Sequence, residues 1–331
     1  IMSNVLDCAQ VVTIEYQDKA LSFLPLCHVF ERILNYTYMY NGASVYYADG
    51  LESIANNLND IRPQYFASVP RLMEKIYENI LRKSRKLSPA KRKLFNWSLK
   101  IAEFTPIDGS ASAIQKFKLA IADKLVLNKL RAAVGGQVKA IICGSAPLQP
   151  RLATIFNNAG IPLLEGYGLT ETSPVLTVNP FKKNAIRAGS VGTTLPSVQI
   201  KIAEDGEILA KAPSVMLGYY KDEESTKASF TVDGWLKTGD IGHFTDDQYL
   251  VITDRKKDLF KTSGGKYVAP SLLENKLKES PYIEQVAIVG DGEKFVSALI
   301  VPNFDLLKNW CKSNNLQNDS FCTMIEQIGR A

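Results

Sequence analysis

Glu165-Gly166-Tyr167-Gly168-Leu169-Thr170-Glu171-Thr172 gathers the groups that would hold a purine nucleotide into eight residues. Tyr167 stands between two glycines, so its ring can lie against a purine face while main-chain groups approach the base edge. Thr170 offers a hydroxyl to a phosphate oxygen. Glu171 offers a carboxylate to Mg²⁺, which commonly reaches a protein through one or two carboxylates together with substrate phosphates. Taken singly, these residues read more simply as a glycine turn followed by a helix-capping Thr-Glu pair. Their combination favours the nucleotide.

The flanking elements would place this chemistry. Val138 to Cys143 is a short apolar run that ends at Gly144 and Ser145, and Pro147 then opens a helical pattern through Leu148, Leu152, Ile155 and Ala159. Ile161 to Leu164 is apolar again. Strand, tight turn, helix and strand put both Gly144-Ser145 and the Tyr167 stretch at the carboxyl ends of parallel strands, where open α/β sheets bind ligands.

Upstream, Leu21 to Leu26 reads as a strand leading to His28, which on its own is a hydrogen-bonded residue at a strand end. Val45 to Ala48 and Tyr65 to Val69 read as strands, and Leu51 to Ile61 as a helix stopped at Pro63. Between Arg71 and Lys100 ten Lys or Arg residues face only Glu74 and Glu78. Leu94, Trp97 and Ile101 recur there at helical spacing, which suits either an ordinary core stripe under a solvated basic face or an amphipathic helix lying on anionic lipid. Ala113 to Arg131 is a long helical pattern ending before Gly135-Gly136.

Downstream, Val198 to Ile202 and Glu207 to Ala210 form a hairpin through Asp205-Gly206. Tyr249 to Thr253 is a strand running into the charged segment Asp254 to Asp258. Lys266 follows Gly264-Gly265, but Phe260 stands where a phosphate-binding P-loop needs its first glycine and Tyr267 follows the lysine, so that motif is excluded. Ser271 and Glu274 are spaced as a capping box before an apolar run.

The chain of 331 residues is 46% hydrophobic with a net charge of +5, ordinary for a globular protein, and carries no nucleic-acid-binding signature. Five cysteines, Cys8, Cys27, Cys143, Cys311 and Cys322, lack C-x-x-C spacing and favour neither a disulfide framework nor a zinc site. A reducing cytoplasm suits them. No apolar run reaches the roughly 20 residues of a membrane helix. Ile1 opens in mid-pattern, which reads as a piece of something longer.

Five stretches in order, Phe23 to Ile33, Val69 to Ile80, Leu164 to Pro174, Asp233 to Asp240, and Ile252 to Pro270, resemble the adenylate-forming acyl-CoA synthetases, in their long-chain fatty acid branch. The resemblance covers nearly the whole chain. It implies an α/β fold of layered sheets and helices with a β-rich subdomain, the later part of the large domain over residues 1–256, then the start of a small mobile α+β domain over 257–331.

The resemblance also implies ATP-dependent activation of a long-chain fatty acid to its CoA thioester through an acyl-AMP intermediate, with ATP or AMP, Mg²⁺ and coenzyme A as ligands. It sets Glu165, Gly166, Tyr167 and Gly168 around the adenine, Asp240 and Arg255 on the ribose, Thr170 at the phosphate and Glu171 at the metal. His28 would line or gate the acyl pocket, Lys257 would be the hinge, and Gly264 and Gly265 would line the pantetheine path. Without the resemblance, Asp240 reads as a simple turn aspartate. The family's upstream phosphate loop and downstream catalytic lysine are not matched between Ile1 and Ala331, so the chain by itself is expected to be inert. Another acyl or aryl acid ligase, and a non-catalytic adenylate- or lipid-binding protein, are the alternatives. The expected setting is cytoplasmic, either free or in peripheral contact with the inner face of a membrane.

Overall fold

The computed structural model describes residues 1–50, 52–182, 184–280 and 282–313. Leu51, the expected start of a helix, and Cys322 lie outside them. Two compact units divide the chain: Ile1–Thr238 with Gly242–Ile252, and Gly239–Ile241 with Thr253–Ala331.

The first unit is built on a seven-stranded sheet of β1 (Lys19–Ser22), β2 (Ser44–Tyr47), β3 (Tyr65–Ser68), β4 (Ala140–Cys143), β5 (Leu163–Gly168), β6 (Val175–Val178) and β7 (Thr193–Thr194), in the order β2-β1-β3-β4-β5-β6-β7. From β2 to β5 neighbouring strands are parallel, while β6 and β7 are antiparallel additions. Successive side chains on a strand point to opposite faces, and both faces here are buried. Phe66, Ile141, Cys143 and Leu163 enter one core, and Tyr65, Ala67, Ala140, Ile142 and Leu164 enter the other. That is why Tyr65 to Ala67 of β3 and the whole of β4 read as unbroken apolar runs.

Helices cover both faces. On one lie α1 (Met2–Val11) and α2 (Val29–Tyr40); on the other lie α3 (Ile54–Ile61), α4 (Pro70–Ser84), α5 (Pro89–Phe104), α6 (Ala113–Ala122), α7 (Asn128–Ala133) and α8 (Pro150–Asn158). This α/β layering is the one expected.

Three local expectations need correction. The helix after the Gly144-Ser145 turn starts at Pro150, not Pro147, because Gln149 holds the extended N-cap position and Pro150 the first helical turn. The Ala113 to Arg131 pattern is continuous but carries a π turn at Asp123–Leu127. In α5 the core-facing residues are Phe95, Ser98, Leu99 and Ala102; Trp97 and Ile101 only flank that core and Leu94 is exposed, so the expected stripe was offset by a residue.

A second sheet, ordered β11-β10-β9-β8, comprises β8 (Gln199–Ile202), β9 (Glu207–Lys211), β10 (Leu236–Phe244) and β11 (Leu250–Arg255), and α9 (Glu223–Ala228) precedes β10. Within the second unit β12 (Phe260–Lys261) pairs with β13 (Tyr267–Val268), and β14 (Ile283–Val289) with β15 (Ser297–Pro302), alongside α10 (Pro270–Leu277) and α11 (Phe304–Ser313). Among the described residues no helix is long and apolar enough to cross a membrane.

The expected capping box of α10 does not form. Pro270 at the first position leaves Ala269 as N-cap, and the buried carboxylate of Asp254 accepts from the Ser271 N–H at 3.1 Å and hydroxyl at 2.9 Å. Glu274 instead accepts from the Ile288 N–H at 2.9 Å. The helix is capped from a distant strand.

Candidate adenylate site

In the first unit β5 runs on past its parallel pairing with β4. Its second half, Gly166 to Gly168, pairs antiparallel with β6 across a bulge, so the Tyr167 stretch forms one arm of a hairpin rather than a loop leaving a parallel strand. The backbone crossing is tight: a Cβ on Gly168 would stand 1.7 Å from the Pro174 carbonyl oxygen, and one on Gly166 3.2 Å from that of Thr177. Gly168 is therefore required by the hairpin itself, a role that its place beside an aromatic residue did not reveal.

Thr170–Thr172 follows as one turn of 3-10 helix. Thr172, fully buried, locks it: its hydroxyl accepts the Leu169 N–H at 2.9 Å and donates to the Pro174 carbonyl. Thr170 is exposed. Glu171 is half-buried and doubly held, its main-chain carbonyl accepting the Met216 N–H at 2.7 Å and its Oε1 the Tyr219 hydroxyl at 2.9 Å. Sequence reading gave Thr172 no role of its own and missed Tyr219, which lies 48 residues from Glu171, so no local spacing could have linked the two.

Gly144 and Ser145 end β4, with the Gly144 N–H donating to the Ser68 carbonyl at 3.3 Å and Ser145 at φ 70°. A Cβ on Gly144 would meet the Phe30 ring at 3.4 Å and the Gly166 carbonyl oxygen at 3.5 Å, so the two expected glycine motifs are neighbours. Glu165 is buried beside them. Main-chain N–H groups of Leu148 and Gly189 reach its carboxyl, yet burial dominates and lifts its pKa from 4.5 to about 8. Its carbonyl accepts the Asn179 N–H at 2.8 Å. Tyr167 packs against the core on the α2 side of the sheet. His28 is exposed and serves as N-cap of α2, its Nδ1 accepting the Phe30 N–H at 3.3 Å.

The second unit brings Asp240 and Arg255 together. Asp240 is buried in β10, not at a strand end, and its Oδ1 lies 3.3 Å from Nε of Arg255 at the end of β11. Lys257 is exposed on the turn that follows, which the Asp258 and Leu259 N–H groups close onto the Arg255 carbonyl at 3.0 and 3.2 Å. Gly264 and Gly265 sit between β12 and β13, where an added Cβ would meet nothing within 4 Å.

The oxygen chemistry of Glu171 fits Mg²⁺. Among the described residues no group of three or more His, Cys, Asp or Glu could hold a metal ion, so nucleotide phosphates and water would have to supply most of the ligands, as is usual for this ion.

Comparison with known proteins fits this arrangement. The AMP-binding enzyme family matches residues 1–220, and its C-terminal domain family matches 257–328. The long-chain-fatty-acid–CoA ligase FadD15 of Mycobacterium bovis is 36% identical over 305 residues, covering 90% of this chain and 49% of the relative. Long-chain-fatty-acid–CoA ligase 6 of Mus musculus is 33% identical, covering 95% and 46%. The chain thus spans about half the length of these curated relatives. Among solved structures, o-succinylbenzoate coenzyme A synthetase from Bacillus subtilis in complex with AMP superposes with a TM-score of 0.67 at 22% identity, covering 96% of this chain and 58% of that one. ATP-bound MatB from Rhodopseudomonas palustris gives 0.66 at 24%, covering 91% and 53%. At these identities the solved structures speak for the fold, and the family match over residues 1–220 establishes that the chain belongs to the AMP-binding enzymes.

Proposed function

We propose that this chain is part of an ATP-dependent long-chain fatty acid CoA ligase. The observation that carries the reading is that relatives bearing this name align over nine-tenths of the chain or more. In the first half-reaction the fatty carboxylate attacks the α-phosphorus of ATP, forming the acyl-phosphate bond as pyrophosphate leaves. In the second the CoA thiol attacks the acyl carbonyl, and AMP departs.

The residues divide the work. Tyr167 takes a purine face, with main-chain groups at Glu165, Gly166 and Gly168 near the base edge, and Gly144-Ser145 alongside. Thr170 donates to a phosphate oxygen, and Glu171 holds Mg²⁺, which when bound offsets charge developing on the phosphoryl oxygens. Tyr219 keeps the Glu171 carboxylate aimed. Asp240 and Arg255 take the ribose, His28 flanks the acyl pocket, and Gly264-Gly265 flank the pantetheine. Residues 1–256 belong to the large domain and 257–331 to the small one, with Lys257 the pivot between half-reactions. The setting is cytoplasmic.

The test is AMP release by the longest natural form of the protein, with CoA and acids from acetate to oleate. Long acids alone should support release, and Glu171→Ala should lower it by about 10²-fold or more. Release with short or aromatic acids only would assign a different acid ligase. No acid-dependent release would favour an adenylate- or lipid-binding protein and overturn the proposal.

A further inference from the structure

The continuous helix from Ala113 to Ala133 faces outward with the wrong residues for water. Of the ten residues of α6 only Ala122 is buried. Its large apolar side chains lie on the surface: Ile114 is 67% exposed, Phe117 68% and Ile121 37%, and Leu125 on the π turn is 42% exposed. At 3.6 residues per turn Ile114, Phe117 and Ile121 fall within an arc of about 60°. They form one stripe, with Leu119, Ala122 and Val126 turned to the core instead.

The surroundings of the stripe are cationic. Lys116, Lys118, Lys124 and Lys129 are exposed on the same helix, whose single acid, Asp123, is paired with Arg131. The packed neighbour α5 adds exposed Lys91, Arg92, Lys93 and Lys100, and ends in Phe104, 71% exposed. From Arg71 to Arg131 there are fifteen Lys or Arg against five Asp or Glu, a net charge of +10, whereas the whole chain carries +5. The remainder is therefore net acidic, and the positive charge is concentrated where the apolar stripe is exposed.

We propose that α6 and its π turn dock on an anionic lipid surface, with Ile114, Phe117, Ile121 and Leu125 entering the interface and the lysines meeting lipid phosphates. An apolar stripe bordered by lysines is the composition of helices that lie in the membrane plane, and each basic residue near an anionic leaflet adds attraction that salt screens. A protein partner would have to offset the same positive field with a matching acidic face. The inference does not depend on the proposed chemistry, and it places the contact on α6 rather than on the Leu94, Trp97 and Ile101 positions of α5.

Sedimentation with vesicles of phosphatidylglycerol mixed with phosphatidylcholine, against phosphatidylcholine alone, tests it on the longest natural form of the protein with this chain alongside. Binding should require the anionic lipid and weaken as salt rises. Ile114→Ser with Phe117→Ser, and separately Lys118→Glu with Lys124→Glu, should each lower the vesicle partition coefficient by about tenfold or more. All four side chains are exposed, and circular dichroism melting identifies any variant that has lost its fold. Phe117→Trp should show quenching by brominated lipid. Binding left unchanged by both pairs of substitutions would overturn the proposal. So would failure of both forms to bind, or binding by this chain but not by the longer form, which would mean that protein covers the stripe.

Discussion

Two glycine turns in this chain carry opposite constraints. At Gly168 the backbone of the opposing arm is so near that any side chain would overlap the Pro174 carbonyl, and Thr172 ties both ends of the turn together. At Gly264 and Gly265 an added Cβ meets open space, and only the backbone of Gly265, at φ 78°, favours glycine there. The first turn is fixed by its own backbone and hydrogen bonds, as the proposed seat for a flat base and a phosphate would require. The second has the room to accommodate a ligand or to move, which is what a path for a long flexible thiol would need. Glycine marks both, for different reasons.

The sharpest way to break this contrast is to add one methyl group at each place. Gly168→Ala should destabilise the chain by about 3 kcal/mol, the upper part of the range for overpacking, whereas Gly264→Ala should stay within about 0.5 kcal/mol, as for surface changes generally. Urea denaturation of the pair decides it; equal midpoints would show that the hairpin relaxes freely.

A second effect belongs to the locked turn alone. Glu165 has its pKa raised by burial from 4.5 to about 8. The folded chain therefore keeps this proton to a higher pH than the unfolded chain does. Its contribution to stability is complete below pH 4.5 and is lost as pH rises toward 8, with a slope of up to about 1.4 kcal/mol per pH unit. Glu165→Gln should flatten the stability profile between those values, and a variant profile parallel to that of the parent chain would remove Glu165 as its cause.

The smallest effect is expected beside the open loop. Asp254 caps α10 through Ser271, and Asp254→Ala should weaken that helix by about 1 kcal/mol. Hydrogen exchange of the α10 amides should speed up by about fivefold, while the Gly264 and Gly265 amides keep their rate. Acceleration of both would make the loop part of the same cooperative element.

Much of the fold was legible because burial on both faces of a parallel sheet leaves continuous apolar runs, as in Tyr65 to Ala67 and Ala140 to Cys143. Helix boundaries were less so. Pro147 and Pro150 both suit a first turn, and only the extended Gln149 backbone selects the second. In α5 the apolar residues number more than one face can use, so periodicity alone chose Leu94 over Phe95.

What the sequence determined by itself was chemistry in order: the Tyr167 to Glu171 stretch, the Asp240 and Arg255 positions, the glycine loop, and through them the family. These are local patterns, and local patterns survive in one dimension. The tertiary structure decided which groups stand together and which stand exposed. It paired Asp240 with Arg255, set Tyr219 on Glu171, sent Asp254 to cap a helix 16 residues on, and left the stripe of α6 facing outward. Each of these depends on packing between segments distant in the chain, where distance and burial are set by the whole core and no spacing rule reaches.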